Sequence, residues 1–281
     1  MPGFIELLGA AKTDAEGRTN YQLYPDWMQG RAVYGGLSAA LCLDGVLKQH
    51  DDLPPLRSAT INFIGPGDDG VTVESKVLRR GKSVSFVQAE LVSGSGLIAH
   101  TVFGFGAARQ SRLDENFGDE LYQSYSSAPS PEQCESYFPE RESFCSEEEF
   151  ILARSKLPPF QQYFEVRIAR GIRPFTSCDE TSFDLWIRHR DPAANDLQAL
   201  LAIADMPPPA IMSALKKPSP MSSMSWMINL LEREPKSDSG WWLLGSYAEH
   251  AKDGYSSQNM TIHNDRGELV IVGRQNVAVF Y

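Results

Sequence analysis

Residues 195–206 read NDLQALLAIADM, and the apolar side chains of this short stretch would cover nearly every side of a helix. A helix with that pattern is buried on all sides. Asn195 or Asp196 can cap its start. The proline run 207–209 ends it, because a residue that precedes proline is pushed out of the α region. The stretch therefore predicts a buried helix that ends at a carboxylate, Asp205.

Asp205 stands between Ala204 and Met206, in apolar company. Ionised carboxylates are rarely found in such surroundings unless they are paired or functional. One interpretation is that Asp205 sits at the helix end and reaches water. The other is that it belongs to a functional site, and this stretch alone leaves both interpretations open.

The composition bounds the kind of protein. The 281 residues, of which 42% are hydrophobic, fit one large domain or two smaller ones. The net charge of −10 argues against nucleic acid and anionic membrane surfaces as main partners. No apolar window of about 18 residues exists, which predicts no membrane span. The N-terminus lacks the basic and apolar regions of a secretory signal.

The four cysteines, Cys42, Cys134, Cys145 and Cys178, are scattered, with no C-x-x-C pair and no partnered histidines. Such thiols are typical of a reducing compartment, and they fit neither a disulfide framework nor a zinc site. We therefore expect a cytoplasmic protein with no metal and no cofactor.

The first hundred residues combine one buried helix with alternating strands. NYQLYP at 20–25 predicts a short strand, and the segment 30–36, which ends in a glycine pair, leads into an Ala/Leu-rich helix over 37–50. Apolar and polar residues then alternate in four further runs, which predict strands at 57–65, 71–80, 83–93 and 97–106. Period-two runs joined by tight glycine turns indicate antiparallel hairpins.

The same pattern recurs in the second half, which indicates an internal repeat. Around the helix 195–206, strands are predicted at 162–171, 182–190, 222–232, 241–251, 256–264 and 269–281. The intervening segment 107–157, rich in Ser, Glu, Asp and Pro, is interpreted as a connector with a helix near 147–156. We therefore predict an α+β fold with repeats over 1–106 and 158–281. Each repeat is a long antiparallel sheet wrapped around a buried helix.

Four motifs carry a resemblance to a known family. They are VYGGLSAALCLDGVL at 33–47, LRRGKSVSFVQAEL at 78–91, LLAIADMPPP at 200–209 and DGYSSQNMTIHNDRGELVIVGRQ at 253–275. In this order and spacing the chain resembles the acyl-CoA thioesterase II-like family of double hotdog proteins. The resemblance implies a tandem (double) hotdog fold and covers most of the chain except 107–157.

The resemblance also implies an activity and a site. The family hydrolyses fatty acyl-CoA thioesters with an Asp, a Thr and a Gln that position a water, and these fall on Asp205, Ser223 and Gln275. Ser223 departs from the family's Thr but keeps a hydroxyl donor and acceptor. Ser225 stands where the family has an acidic residue. The chemistry is self-consistent, because a carboxylate can accept the water's proton and no covalent nucleophile is required.

Each candidate also has a plainer interpretation. Ser223 would be a strand serine with a local hydrogen bond, and Gln275 a solvated strand residue. The first repeat lacks the full set, because Asp44 lies in its helix but Gly104 occupies the position that matches Gln275. We therefore interpret Asp44 as non-catalytic and expect the first repeat to supply pocket wall.

Substrate-binding residues are expected at two places. Free N–H groups at the helix start formed by Tyr34, Gly35 and Gly36 can bind a carbonyl or an oxyanion, although the glycines could serve only close packing. The phosphates of CoA call for cations. The candidates are Arg79, Arg80, Lys82 and Arg274, each of which could also be ordinary surface charge.

Other chemistries have weaker support. The sequence contains no G-x-S-x-G nucleophile elbow and no glycine-rich phosphate loop with Lys-Ser/Thr. Two alternatives to hydrolysis remain: a non-catalytic acyl or acyl-CoA binding hotdog protein, and a hotdog enoyl-CoA hydratase, although no helix offers the near Asp–His pair that a hydratase needs. The expected partner is the acyl-CoA substrate, and the resemblance implies a homo-oligomer, either a dimer or a tetramer.

Overall fold

A computed structural model describes residues 3–113, 127–140, 143, 145–171 and 173–281. Its helices of the α type are α1 (Phe4–Gly9), α2 (Gly35–Gln49), α3 (Glu147–Arg154) and α4 (Leu197–Ala204). Helix α4 is the helix predicted over 195–206. The Asp196 carboxylate caps it by accepting a hydrogen bond from the Ala199 N–H at 2.7 Å, and Asp205 is its C-cap residue.

The strands follow the alternation of the sequence closely. They are β1 (Lys12–Thr13), β2 (Thr19–Gln22), β3 (Met28–Gln29), β4 (Ala32–Val33), β5 (Leu56–Phe63), β6 (Gly70–Arg80), β7 (Val84–Ser93), β8 (Gly96–Gly106), β9 (Glu135–Ser136), β10 (Phe164–Gly171), β11 (Ser182–His189), β12 (Met221–Leu230), β13 (Trp242–Lys252), β14 (Tyr255–Asn264) and β15 (Leu269–Val279). Every long strand lies within a few residues of its predicted bounds, as expected for period-two patterns.

One continuous antiparallel sheet joins the two halves of the chain. Among the described residues its 13 strands run in the order β1-β2-β6-β7-β8-β5-β12-β15-β14-β13-β11-β10-β9, and β3 and β4 form a separate two-stranded sheet. The halves meet where β5 pairs with β12, with Trp226 opposite Ile61. This seam places β12 of the second half beside β5 of the first half.

The two central helices pack against each other inside the sheet. Residues 36–46 of α2 and 199–204 of α4 are buried. The Tyr34 hydroxyl, just before α2, donates a hydrogen bond to the Ala202 carbonyl in α4 at 2.5 Å. Each predicted buried helix is therefore wrapped by its own part of the sheet, and the two helices share one core.

Two features lie outside the predicted pattern. Helix α1 is too short to stand out in the sequence, but it buries Phe4, Leu7 and Leu8. In the segment 107–157, β9 extends the sheet beside β10, and the indole of Trp186 donates to the Pro129 carbonyl at 2.8 Å. The described residues near Pro129 and Cys134 therefore cover part of the sheet's outer face, beside Trp186. Positions 114–126, 141–142 and 144 of the predicted connector, and positions 1–2 of the predicted N-terminal repeat, lie outside the described residues.

Candidate active site

Three side chains from three elements of the second half converge at the end of α4. Gln275 on β15 donates from Nε2 to Asp205 Oδ1 at 2.8 Å and to Ser223 Oγ on β12 at 2.9 Å. Gln275 is buried, whereas Asp205 and Ser223 are partly exposed. The three residues that the sequence selected as catalytic are thus in direct contact, and Gln275 is not the solvated strand residue of the plainer interpretation.

A β-bulge turns Ser223 toward this cluster. Along β12, Trp226, Ile228 and Leu230 face the core. Strict alternation would therefore turn position 224 inward and position 223 outward. The register of β12 on β15 shifts between Ser223 and Ser225, and Met224 is 45% exposed. An extra residue of this kind re-aims its neighbours, which places the Ser223 hydroxyl inside.

The environment of Asp205 changes its acidity. Although Asp205 as a residue is partly exposed, its carboxyl group is enclosed by protein atoms, and this desolvation raises its pKa to about 7; the Gln275 side chain and the Gly36 backbone N–H oppose that rise. Because the Gly36 N–H belongs to the start of α2, the first half of the chain contributes to the site that the second half carries. A carboxyl whose pKa lies near neutrality is suited to proton transfer, and this agrees with the functional interpretation of Asp205.

The glycine pair at the start of α2 allows a close approach of the two helices. A Cβ atom on Gly35 would lie well inside van der Waals contact with Asp205 Oδ2, and one on Gly36 would lie 2.5 Å from the Ala202 carbonyl oxygen. Position 36 therefore has no room for a side chain, and a side chain at position 35 would displace the Asp205 carboxylate.

Tyr34 connects the two helices. Its side chain is buried, it stacks on Phe160 with ring centroids 3.9 Å apart, and its hydroxyl donates to Ala202. Burial raises the pKa of the Tyr34 hydroxyl well above its usual range. The Tyr34 side chain thus has its partners inside the core, where it holds the start of α2 against the last turn of α4.

The cations proposed from the sequence do not gather at this site. Arg80 pairs with Ser85, Ser85 pairs with Phe105, and Phe105 pairs with Leu56. Arg80 is therefore level with Leu56, at one end of β5. Ser223 lies beyond the other end of that strand, next to Phe63. Because β5 has 8 residues, these ends are roughly 25 Å apart. Arg79 on β6 and Lys82 in the β6–β7 turn share the position of Arg80 at the far end.

Arg274 precedes Gln275 in the chain but points to the opposite face of the sheet. Successive side chains of a strand alternate between faces, and Arg274 is exposed where Gln275 is buried. Its guanidinium forms an ion pair with Glu249. Adjacency in sequence therefore does not bring Arg274 to Asp205.

Asp44 occupies the equivalent place in the first half but has different neighbours. Its buried carboxylate accepts hydrogen bonds from the Tyr21 hydroxyl at 2.7 Å, from Lys48 Nζ at 2.5 Å and from Gln198 Nε2 at 3.4 Å. Gly104, at the position that matches Gln275, offers no side-chain amide. The Lys48 ammonium neutralises the Asp44 carboxylate, which suits a structural ion pair.

We expect Asp44→Asn to leave kcat within a few-fold of the wild-type value and to lower the melting temperature. Asparagine keeps the size of the side chain but cannot form the ion pair with Lys48, whose side chain is 35% exposed. Because Asp44 itself is buried, loss of the pair should destabilise the fold modestly. Steady-state kinetics and thermal melting of the same preparation measure the two effects. A large loss of kcat in a folded Asp44→Asn protein would contradict the assignment of the site to the second half.

Gln258 on β14 belongs to the cluster, although sequence reasoning missed it. It is 1% exposed, its Nε2 donates to Gln275 Oε1 at 2.8 Å, and its Oε1 accepts from the Ala210 backbone N–H at 2.8 Å. A signal was present in the sequence. In the alternating run of β14, Gln258 falls on the same face as Met260 and Ile262, and an inward-facing glutamine needs buried partners.

Comparison with known families gives two matches that together span most of the chain. Residues 23–106 match the family model of the acyl-CoA thioesterase N-terminal domain, and residues 131–279 match that of the acyl-CoA thioesterase C-terminal domain. No curated protein matches the sequence significantly.

Solved structures agree on the fold. A conserved protein of unknown function with a hotdog fold from Alicyclobacillus acidocaldarius superposes with a TM-score of 0.80 at 18% identity, covering 100% of this chain and 99% of that one. An acyl-CoA thioesterase II, TesB2, from Mycobacterium marinum superposes with a TM-score of 0.73 at 18% identity, with coverages of 99% and 98%. At these identities the likeness confirms the predicted double hotdog fold.

Proposed function

This chain belongs to the acyl-CoA thioesterase family, and we propose that it hydrolyses acyl-CoA thioesters to the free acid and CoA with a water positioned by Asp205, Ser223 and Gln275. The observation that carries the proposal is the single amide of Gln275, which holds the carboxylate of Asp205 and the hydroxyl of Ser223 within 2.9 Å of its Nε2. The start of α2 faces the same carboxylate.

The proposed chemistry assigns each group one task. Asp205 accepts a proton from the water as the water oxygen attacks the thioester carbonyl carbon. Because Ser223 Oγ accepts the hydrogen bond from Gln275, its own proton is available to the water or to the developing oxyanion. The carbon–sulfur bond then breaks, and the CoA thiolate leaves and takes up the proton that Asp205 had accepted, which regenerates the carboxylate. No covalent intermediate forms on the protein.

The rate of this reaction should depend on pH in a defined direction. Asp205 must be ionised to accept a proton, and its pKa is raised to about 7. We therefore expect kcat to rise with pH, with a midpoint near 7, to reach a plateau above it, and to be lost as the pH falls through that value. Steady-state rates between about pH 5 and 9 at constant ionic strength test this. A rate that is flat across this range would exclude Asp205 as the base.

A thiol-release assay with a panel of acyl-CoA thioesters tests the function itself. Release of free CoA with at least one acyl chain is the expected result. No turnover on any chain length, with a protein shown to be folded, would refute the proposal. Tight binding in a titration without thiol release would indicate the non-catalytic acyl-CoA binding protein. A change in enoyl-CoA absorbance without thiol release would indicate the hydratase.

We further propose that the catalytic groups belong to a C-terminal unit over 158–281, with a non-catalytic unit over 1–106 and a connector over 107–157. The separate family matches support two units, and the C-terminal match begins at residue 131, within the connector. Assembly into a dimer or tetramer stays a prediction. Across the described residues, the structure contains no helix long and apolar enough to cross a bilayer.

A further inference from the structure

We propose that Gln258 is a positioning residue that fixes which end of the Gln275 side-chain amide faces Asp205 and Ser223. The proposal rests on the function proposed above and adds a residue to its machinery. The two ends of a glutamine amide are nearly equal in shape, so their orientation is set by the hydrogen-bond partners. The residue that holds the other end of the Gln275 amide therefore decides which end faces the reacting groups.

The orientation starts from a backbone N–H, which can only donate. The Ala210 N–H points at the side-chain amide of Gln258 at 2.8 Å, so the atom that faces it must be the acceptor Oε1. Nε2 of Gln258 then faces Gln275, where it requires the acceptor Oε1 at 2.8 Å. This leaves Nε2 of Gln275 to donate both of its hydrogens, one to Asp205 and one to Ser223.

The opposite orientation of Gln275 would impair the site in two ways. Its Oε1 would face the Asp205 carboxylate, and two acceptors would meet without a proton between them. The Ser223 hydroxyl would have to donate to that oxygen, so its proton would no longer be available to the water or to the thioester. Both consequences act on the reacting groups, whereas the position of the strands would stay the same.

This hydrogen-bonded relay, from the Ala210 N–H through Gln258 to Gln275, is held in place at both ends. Ala210 begins a short 3-10 helix, Ala210–Ala214, that follows Asp205 after the proline run 207–209. Proline fixes its backbone φ angle, so the carboxylate and the N–H that orients Gln258 are joined by a stiff connection. Gln258 is 1% exposed, so water cannot readily replace either of its partners.

Two substitutions of Gln258 separate the relay from simple packing. Gln258→Met keeps a similar volume but cannot donate to Gln275. We expect kcat to fall about tenfold or more, because the Gln275 amide would no longer align Asp205 and Ser223. KM should stay within a few-fold of the wild-type value. Gln258→Glu can donate to Gln275 Oε1 only while its carboxyl is protonated. We therefore expect its rate to fall again at high pH, so that the rising wild-type profile becomes bell-shaped.

The matched control is Ser256→Ala. Ser256 lies on the same face of β14, it is buried, and its hydroxyl has no hydrogen-bond partner among the described residues. The kcat and the pH profile of Ser256→Ala should match those of the wild type. A wild-type plateau at high pH in Gln258→Glu, or a wild-type kcat in folded Gln258→Met, would overturn the proposal. If Gln258→Met does not fold by thermal melting, the shape of the Gln258→Glu profile decides alone.

A readout that needs no turnover separates this proposal from the function beneath it. In the wild type, NMR should show nuclear Overhauser contacts between the Gln275 side-chain NH2 and the Ser223 β protons, and these should be lost in Gln258→Met. If the wild type releases no thiol but the contacts behave this way, the proposed function fails and the orientation by Gln258 stands. If the contacts persist in Gln258→Met while the wild type turns over, the orientation by Gln258 is wrong.

Discussion

Asp205→Asn is expected to lower kcat by about 10²- to 10⁴-fold, the usual contribution of a general base. Asparagine keeps the size of the side chain, and its Oδ1 can still accept the hydrogen bond that Gln275 Nε2 donates at 2.8 Å. It cannot accept a proton from water. The change therefore removes the proposed chemical task while leaving most of the geometry in place, and KM should change only a few-fold.

Asp44→Asn provides the matched control for this experiment, because it makes the same substitution at the equivalent place in the first half. Both proteins must melt cooperatively before their rates are compared. Since Asp205 is also the C-cap residue of α4, a lost fold would mimic a lost base. A kcat within a few-fold of wild type in folded Asp205→Asn would show that the proton goes to another group.

Asp205 and Gln275 could be selected from the sequence because each lies in one of the four motifs, and Ser223 because the resemblance places the family's Thr at that position. The buried helix and the alternating strands follow from periodicity, and their bounds were predicted to within a few residues. The contact among the three residues depends on the bulge at Met224. The run SSMSWMINL of β12 contains no residue that indicates a bulge. A prediction from strict alternation would therefore turn Ser223 outward.

The positions of the candidate cations depend on the tertiary structure. The distance of Arg80 from Asp205 depends on three successive strand registers. Arg274 points outward because its neighbour Gln275 points into the core. The spacing of these cations in the sequence indicates neither how far Arg80 lies from Asp205 nor which face of the sheet Arg274 occupies. The close approach of Gly35 to Asp205 spans the two halves of the chain, and no local sequence pattern indicates how the two halves pack.

Gly35→Ala is the second substitution with a large expected effect. Alanine is favoured over glycine within a helix by about 1 kcal/mol, so helix propensity at the start of α2 is no obstacle. However, the added methyl would overlap Asp205 Oδ2 and lie 3.1 Å from Phe63 Cε1. The carboxylate has to move, and a shift of about 1 Å at a reacting group can cost about 10²-fold in rate. We expect a loss of kcat of that order.

Gly9→Ala is the control, because a methyl on this glycine of α1 meets no atom within 4 Å; its kcat should equal that of the wild type. The pH profile supplies a second readout for Gly35→Ala. The Gly36 N–H lowers the pKa of Asp205 against the effect of burial, so a carboxylate pushed away from that N–H should titrate above 7. The midpoint of kcat should move upward by the same amount. An unchanged kcat and midpoint in folded Gly35→Ala would show that the start of α2 has no part in holding the base.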